Sequence, residues 1–413
     1  MVQGKSKCYV LASGGIYELD AEAAKLKRVD MNYNFDRSLS KEFNEMFYET
    51  WANLDENYYD PNFHGVDWVK MRQKYEAYLP YLKSRGSLRI LLNDMLGELN
   101  SSHQGFSSYG DEEKLFYSAK TMATGILFDD DAPYKVKTIV HNSPADKGEK
   151  DIKPGDILYA VDGEKVDETL NADFYFSRPT LPDEVSLTFK RGGEMVEVKI
   201  HPESPAALKS QLYDEWIAGN QREVDEKTGK RVAYIQMKDM GGEALEKFMI
   251  KMGSEAYNRD GLILDLRYNT GGNVHDQVLR FLSQKPYLNW KYRDGKITSQ
   301  PNFYPAGKPI VLLVNEQTLS DGEMTSAGFQ ALKLGEIVGT ETYRWIIFTS
   351  SKTMVDGSTC RMPSWGCYKL NGDDIEKTGV TPDIIVNNTI ADRTAGKDPQ
   401  LEKAIEEVMK QMK

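Results

Sequence analysis

The 413-residue chain has only three cysteines, Cys8, Cys360 and Cys367. They are too few and too scattered for a zinc ribbon or a disulfide framework, and they fit a reducing compartment such as the cytoplasm. Histidine is scarce too, with five in all: His64, His103, His141, His201 and His275. A mechanism that uses a histidine base therefore has a short list of candidates. No apolar run approaches the roughly 20 residues that a membrane-spanning helix needs. The opening MVQGKSK lacks the apolar stretch of a signal peptide. Positive charge is in deficit, since 52 Lys and Arg against 63 Asp and Glu leave a net charge of −11, with no basic tail or run. Counterion release needs clustered positive charge, so this balance argues against a general nucleic-acid binder.

What remains is ordinary globular material, 40% hydrophobic and 28% charged. At roughly 150 residues per domain the length allows about two to four domains. Chains of this size bury several cores without a metal or disulfide staple.

The period of the apolar residues changes along the chain. KCYVLASGGIYELD and LKRVDM are short strand-like runs around a Gly-Gly turn, a hairpin that is marginal by itself. From Leu39 the spacing becomes helical. LSKEFNEMFYETWANLDENYY opens on a loose capping pattern around Ser40, and DWVKMRQKYEAYLPYL and SLRILLNDMLGEL read as two further amphipathic helices. TGILFD, YKVKTIV, VSLTFKR and EMVEVKIH are β runs. Between them lie a Lys153-Pro154-Gly155-Asp156 turn and a tight Asp162-Gly163 turn. This β region looks like a PDZ domain of the bacterial protease type, in which Thr124, Gly125, Ile126 and Leu127 would match the carboxylate-binding loop. A β-rich insertion without a ligand is the plainer alternative. From about Val232 buried strands (RVAYIQM, GLILDLR, PIVLLVN, GEIVGT) alternate with helices, and the chain closes on the polar helix QLEKAIEEVMKQMK.

Four stretches could carry chemistry. In VLLVNEQTLSDGEMTSAGFQALK an apolar strand runs through a short loop into a helix, with Ser320 at the junction. Free N–H groups and the helix dipole favour negative charge there, which suits a nucleophile whose attack makes an oxyanion. Taken alone, Ser320 reads more readily as a helix cap. GLILDLRYNTGGNV places Gly271 and Gly272 where backbone N–H groups can approach a reacting carbonyl, although such a turn is usually only a turn. Ser101-Ser102-His103 closes a helix, and Glu376 precedes a Gly-Val-x-Pro-Asp turn. Each is unremarkable in isolation: a lone histidine and a surface charge.

All four occur together, with the PDZ-like region between His103 and the other three stretches. In this combination the chain resembles the S41 family of serine peptidases, in its tricorn protease branch, from about residue 39 to 412. The resemblance implies an α+β multidomain fold: a helical bundle over 39–111, a PDZ-like domain over 112–205 and a ClpP/crotonase-like α/β sandwich over 206–413. Residues 1–38 would be a hairpin matching the end of a β-propeller, and the chain then reads as a fragment of a longer parent. It further implies Ser320 as nucleophile, His103 as general base and Ser102 as the group that orients the system through Glu376. The oxyanion hole would be Asp321 N–H with Gly271 or Gly272. Peptides or unfolded proteins are the implied substrates, with no metal and no cofactor, and homo-oligomers, hexamers by resemblance, are the implied assembly. With a histidine base, activity should fall through roughly pH 6 to 7.

Two departures matter. The C-terminal processing peptidases of the same family use a lysine where this chain has Trp345, so a Ser-Lys dyad is not expected. The tricorn pattern has two small glycines where Arg344-Trp345 stands, so the substrate cleft should be narrowed or reshaped. Asp294 is a candidate for selecting basic side chains. The competing readings are a non-catalytic PDZ-containing peptide-binding protein on a decayed peptidase fold, a C-terminal processing-type peptidase, and a crotonase-like hydratase or thioesterase.

Overall fold

The computed structural model describes residues 2–3, 8–31, 36–116, 119–179, 182–284, 287–299 and 308–412. At the N-terminus the expected hairpin is a four-stranded antiparallel meander of Val2–Gln3, Cys8–Ala12, Gly15–Asp20 and Lys25–Arg28. The extra strand joins because Asp20 Oδ1 accepts from Glu22 N–H and Ala23 N–H, at 3.1 and 2.9 Å, closing a turn that folds the LKR run back. Residues 1 and 4–7 of the MVQGKSK opening lie outside the described residues.

Three helices, Leu39–Asn57, Trp68–Glu76 and Arg85–Gly97, form the bundle. Phe43, Met46, Phe47 and Leu54 of the first pack on Leu88, Leu92, Met95 and Leu96 of the third, at the three- and four-residue spacing of a helix face. The expected cap at Ser40 is not formed. The helix begins at Leu39 with Ser38 as N-cap and no side-chain cap bond, while Arg37 holds Glu42 of the first turn at 2.7 Å.

The bundle does not close its core alone. A hairpin of Phe348–Thr353 and Thr359–Trp365 adds Met354, Cys360 and Met362 to it and pairs with Gly105–Ser107, just after His103. Buried Arg85 fastens this hairpin by bonding Asp356, and it also holds Glu112 at 2.6 Å. The PDZ-like region has its own core, including Leu158, Val161, Leu187, Phe189 and Ile200.

The C-terminal region is a five-stranded sheet in the order Val232–Gln236, Gly261–Asp265, Ile310–Val314, Glu336–Gly339, Ile384–Ile385, with every pair parallel. The first three strands of this order are buried along nearly their full length, as the uninterrupted apolar runs require of a sheet covered on both faces. Helices Gly242–Ser254, His275–Ser283 and Asp321–Ala331 cover one face. The other face packs on Pro205–Thr228 and Pro399–Gln411. The last helix, polar in overall composition, buries Leu401, Ala404, Ile405 and Val408 as one stripe. Three loops leave the carboxyl ends of neighbouring strands, at 266–274, 315–320 and 340–346, the edge where open parallel sheets place their sites.

Candidate active site

Ser320 lies at the end of the middle loop. Thr318 Oγ1 donates to Leu266 O at 2.8 Å and accepts from Asn315 N–H at 3.0 Å, which turns the chain sharply. Ser320 itself takes φ 55°, ψ −122°. A side chain held at such angles costs about 1 to 3 kcal/mol and needs its surroundings to enforce them. The enforcement is visible: Ser320 N–H donates to Trp345 O at 2.9 Å and to Glu323 Oε2 at 3.1 Å. Asp321 N–H, the first of the helix, has no acceptor among the described residues.

The glycine loop packs directly on this serine. Gly271 has φ +79°, and a Cβ there would stand 2.5 Å from Ser320 Cβ and 3.2 Å from Asp321 N. At Gly272 a Cβ would meet Met240 O at 2.2 Å. The two expected oxyanion donors separate here. Gly271 N–H is taken by Asn269 Oδ1 at 2.9 Å, whereas Gly272 N–H has no acceptor among the described residues. Gly272 and Asp321 are therefore the free N–H groups beside Ser320. Asp321 also works through its buried carboxylate, which accepts from Val274 N–H, His275 N–H and His275 Nδ1 at 2.8, 3.0 and 2.5 Å. This hydrogen bond raises the pKa of His275 and ties the glycine loop to the helix that starts at Asp321.

His103 arrives from the bundle on a left-handed turn, φ 58°. It is 7% exposed, and its ring centre is 5.1 Å from that of Trp345. Nε2 bonds Trp345 O at 3.1 Å, and Nδ1 is buried without a partner. Burial, and then the positive charge of Arg361, lower its pKa to about 4, against the opposing effect of the Trp345 carbonyl. That differs from the pH 6 to 7 range expected of an ordinary histidine, because the imidazolium loses its hydration here. His103 and Ser320 share no direct hydrogen bond. They meet on one acceptor, the carbonyl of Trp345.

Beside the histidine, Glu376 Oε1 accepts from Ser102 N–H at 2.7 Å, and Oε2 accepts from Ser102 Oγ–H at 2.9 Å and Ile346 N–H at 3.0 Å. Folding thus joins Ser102 and Glu376 across 274 residues and turns an apparent surface charge into a hub. The Thr342–Ile346 strap is held at its other end by Glu323, which is fully buried. Glu323 Oε1 accepts from Thr342 Oγ1–H and Arg344 N–H at 2.6 and 2.8 Å, and Oε2 accepts from Trp345 N–H at 2.8 Å. Burial raises the Glu323 pKa while these donors oppose the shift. Asn269 and Glu323 were missed from sequence; Ser320-x-x-Glu323 has the spacing of a capping box, the one local signal available.

Arg344 and Trp345 stand in the strap beside His103. The Trp345 ring stacks on Tyr343 at 5.5 Å, and Arg344 pairs with Glu341. A cavity of about 740 Å³ opens beside them, lined by Ser102, Tyr343, Trp345 and Glu376 but by neither His103 nor Ser320. Thr124, Gly125, Ile126 and Leu127 lie apart, within the PDZ-like region, where Gly125 O accepts from Val140 N–H and Thr124 O from Ala145 N–H. Asp294 sits exposed in the turn of a two-stranded hairpin. Among the described residues no group of three or more His, Cys, Asp or Glu could hold a metal, and no helix is long and apolar enough to cross a membrane.

A serine on a strained turn at a helix N-terminus, at the carboxyl edge of a parallel sheet and with a buried histidine beside it, is the layout of a serine hydrolase. Residues 231–386 match the model of peptidase family S41, residues 39–97 the tricorn protease C1 domain and residues 123–201 the PDZ domain. The three matches lie along the chain in the order tricorn C1, PDZ and S41, so its C-terminal part is similar to peptidase family S41. It is 29% identical over 392 residues to a tricorn-like protease C-terminal subunit of Sulfurisphaera tokodaii, covering 90% of this chain and 44% of that one. It is 26% identical over 396 residues to the tricorn protease of Thermoplasma volcanium, covering 90% and 37%. The crystal structure of the tricorn protease has the same fold, with a TM-score of 0.78 at 24% identity over 97% of this chain and 40% of that one. The chain spans less than half the length of these relatives.

Proposed function

We propose that the chain is a serine-type peptidase that hydrolyses peptide bonds through an acyl-enzyme on Ser320. In this reading His103 takes the Ser320 proton, Oγ bonds to the scissile carbonyl carbon, and Gly272 and Asp321 N–H receive the oxyanion. His103 then protonates the leaving amine, and water, deprotonated by the same base, releases the acyl group. Each oxyanion donor is worth about 3 to 4 kcal/mol of barrier. Ser102 and Glu376 fix the segment that carries the histidine.

The observation that carries this reading is the shared Trp345 carbonyl, 3.1 Å from His103 Nε2 and 2.9 Å from Ser320 N. Because a carbonyl only accepts, Nε2 carries the ring proton in this pose; for catalysis that proton must sit on Nδ1, so that a bare Nε2 turns from the carbonyl to Ser320 Oγ, an alignment of the kind that forms in the substrate complex. Trp345, where C-terminal processing peptidases carry a lysine, counts against a Ser-Lys dyad. The intact Ser320, His103, Ser102 and Glu376 count against a decayed, purely peptide-binding shell. We further propose functional boundaries at 39–111, 112–205 and 206–413, after an N-terminal β unit at 1–38. Peptides or unfolded chains would be the substrates and a homo-oligomer, a hexamer by resemblance, the working form.

A fluorophosphonate probe tests the proposal. Covalent labelling located on Ser320, lost in Ser320→Ala and slowed strongly in His103→Ala, is the expected result. Labelling that survives Ser320→Ala contradicts the assignment.

A further inference from the structure

Arg361 stands on the Thr359–Trp365 strand opposite Gly105, two residues beyond His103. Its neighbours Cys360 and Met362 enter the bundle core, so strand alternation turns Arg361 to the opposite, open face. There its Nε donates to Thr349 Oγ1 at 3.1 Å. Thr349 lies opposite Pro363 in register on the Phe348–Thr353 strand, so the side chain leans toward the Pro363 end of its own strand and across to the neighbour that continues from the Trp345 strap, on the side away from Gly105–Ser107. The Pro363 end is the one at which the antiparallel Gly105–Ser107 strand runs back into His103.

Arginines of the bundle and the strap are paired: Arg85 with Asp356 and Glu112, Arg89 with Glu113, Arg344 with Glu341. Among the described residues Arg361 has no carboxylate within ion-pair distance. Although exposed, it stands in surroundings crowded enough for lost hydration to lower its pKa, and after burial its charge is the largest influence lowering that of His103. An unpaired cation here opposes the imidazolium that forms when His103 takes the serine proton. A carboxylate bound to Arg361 would cancel that opposition and gain a charge-assisted, bidentate partner.

Resting on the peptidase reading above, we infer that Arg361 is a specificity-determining residue that receives a carboxylate of the peptide substrate. The carboxylate can come from an acidic side chain near the scissile bond or from a free C-terminus.

Matched fluorogenic peptides separate the two sources: Glu against Gln at positions flanking the cleaved bond, and free acid against C-terminal amide. Each is measured with the wild type, Arg361→Gln and Arg361→Lys. The wild type should favour the carboxylate member of one pair by about tenfold or more in kcat/KM. Arg361→Gln should erase that preference chiefly through KM, and Arg361→Lys should keep part of it. A preference confined to the Glu/Gln pair assigns the side chain; one confined to the acid/amide pair assigns the terminus. Equal rates within both pairs for the wild type overturn the inference, as does an Arg361→Gln protein that slows every peptide alike. Cleavage of the neutral, amidated peptide reports separately on whether the chain is a peptidase at all.

Discussion

Ser320 and His103 both hold positive φ, 55° and 58°, yet their surroundings differ. The serine half is built on a parallel sheet, with Ser320 itself half-buried. Its backbone N–H has two acceptors, its neighbouring glycine would clash with it if it carried a Cβ, and its helix is tied to the glycine loop through Asp321. The histidine half hangs from a loop that leaves a helical bundle. It is anchored by Ser102 on Glu376 and by the Trp345 carbonyl, and Nδ1 is buried without a partner. On the proposed roles, a nucleophile can be positioned by local topology, whereas its base depends on a few long-range polar contacts. The strap between Thr342 and Ile346, gripped by Glu323 at one end and Glu376 at the other, is what brings the two halves to the same carbonyl.

The sharpest way to break this asymmetry is Glu376→Gln. It replaces one of two acceptor oxygens that together serve three donors, and charged hydrogen bonds are worth about 1.5 to 3 kcal/mol each. We expect the Ser320 labelling rate and kcat to fall about 10- to 100-fold while thermal stability changes little; equal activity would show that the base half needs no such anchor. Glu323→Gln should act on the other half and on the fold together. A loss of about 2 kcal/mol in stability, read by denaturant unfolding, should accompany a drop of about tenfold in labelling, since four donors converge on this buried carboxylate. Smallest in size is a pair of inactive variants. Ser320→Gly relaxes the positive φ that Ser320→Ala retains, so the glycine protein should be more stable by about 1 kcal/mol. No difference would mean that the turn is not strained.

The same asymmetry governed what could be read from sequence. Apolar strand, small-residue loop and helix follow one another within some twenty residues at both GLILDLRYNTGGNV and VLLVNEQTLSDGEM, so the serine half was legible from local pattern. Glu376 was not, because only folding sets it against Ser102. The Pro205–Thr228 helix went unread although Ser204, Pro205 and Gly229 mark its ends, because just Asn220, Val224 and Thr228 of its 24 residues are fully buried and the apolar spacing is faint. The Phe348–Trp365 hairpin escaped for a different reason: its buried residues Met354, Cys360 and Met362 complete the core of a distant bundle. The choice between Gly271 and Gly272 also lay beyond sequence, since it turns on where the Asn269 side chain points.

The pH dependence of Ser320 labelling by a fluorophosphonate tests most directly whether a buried His103 is the base. The base acts when neutral, and burial followed by the Arg361 charge holds its pKa at about 4. The second-order labelling rate should stay level from neutral pH down to about 5, then fall as the pH drops through about 4, with circular dichroism confirming that the protein is still folded. His103→Ala should be slow throughout. A limb at about pH 6 to 7, the range of an ordinary solvated histidine, or a rate indifferent to His103→Ala, would contradict the account.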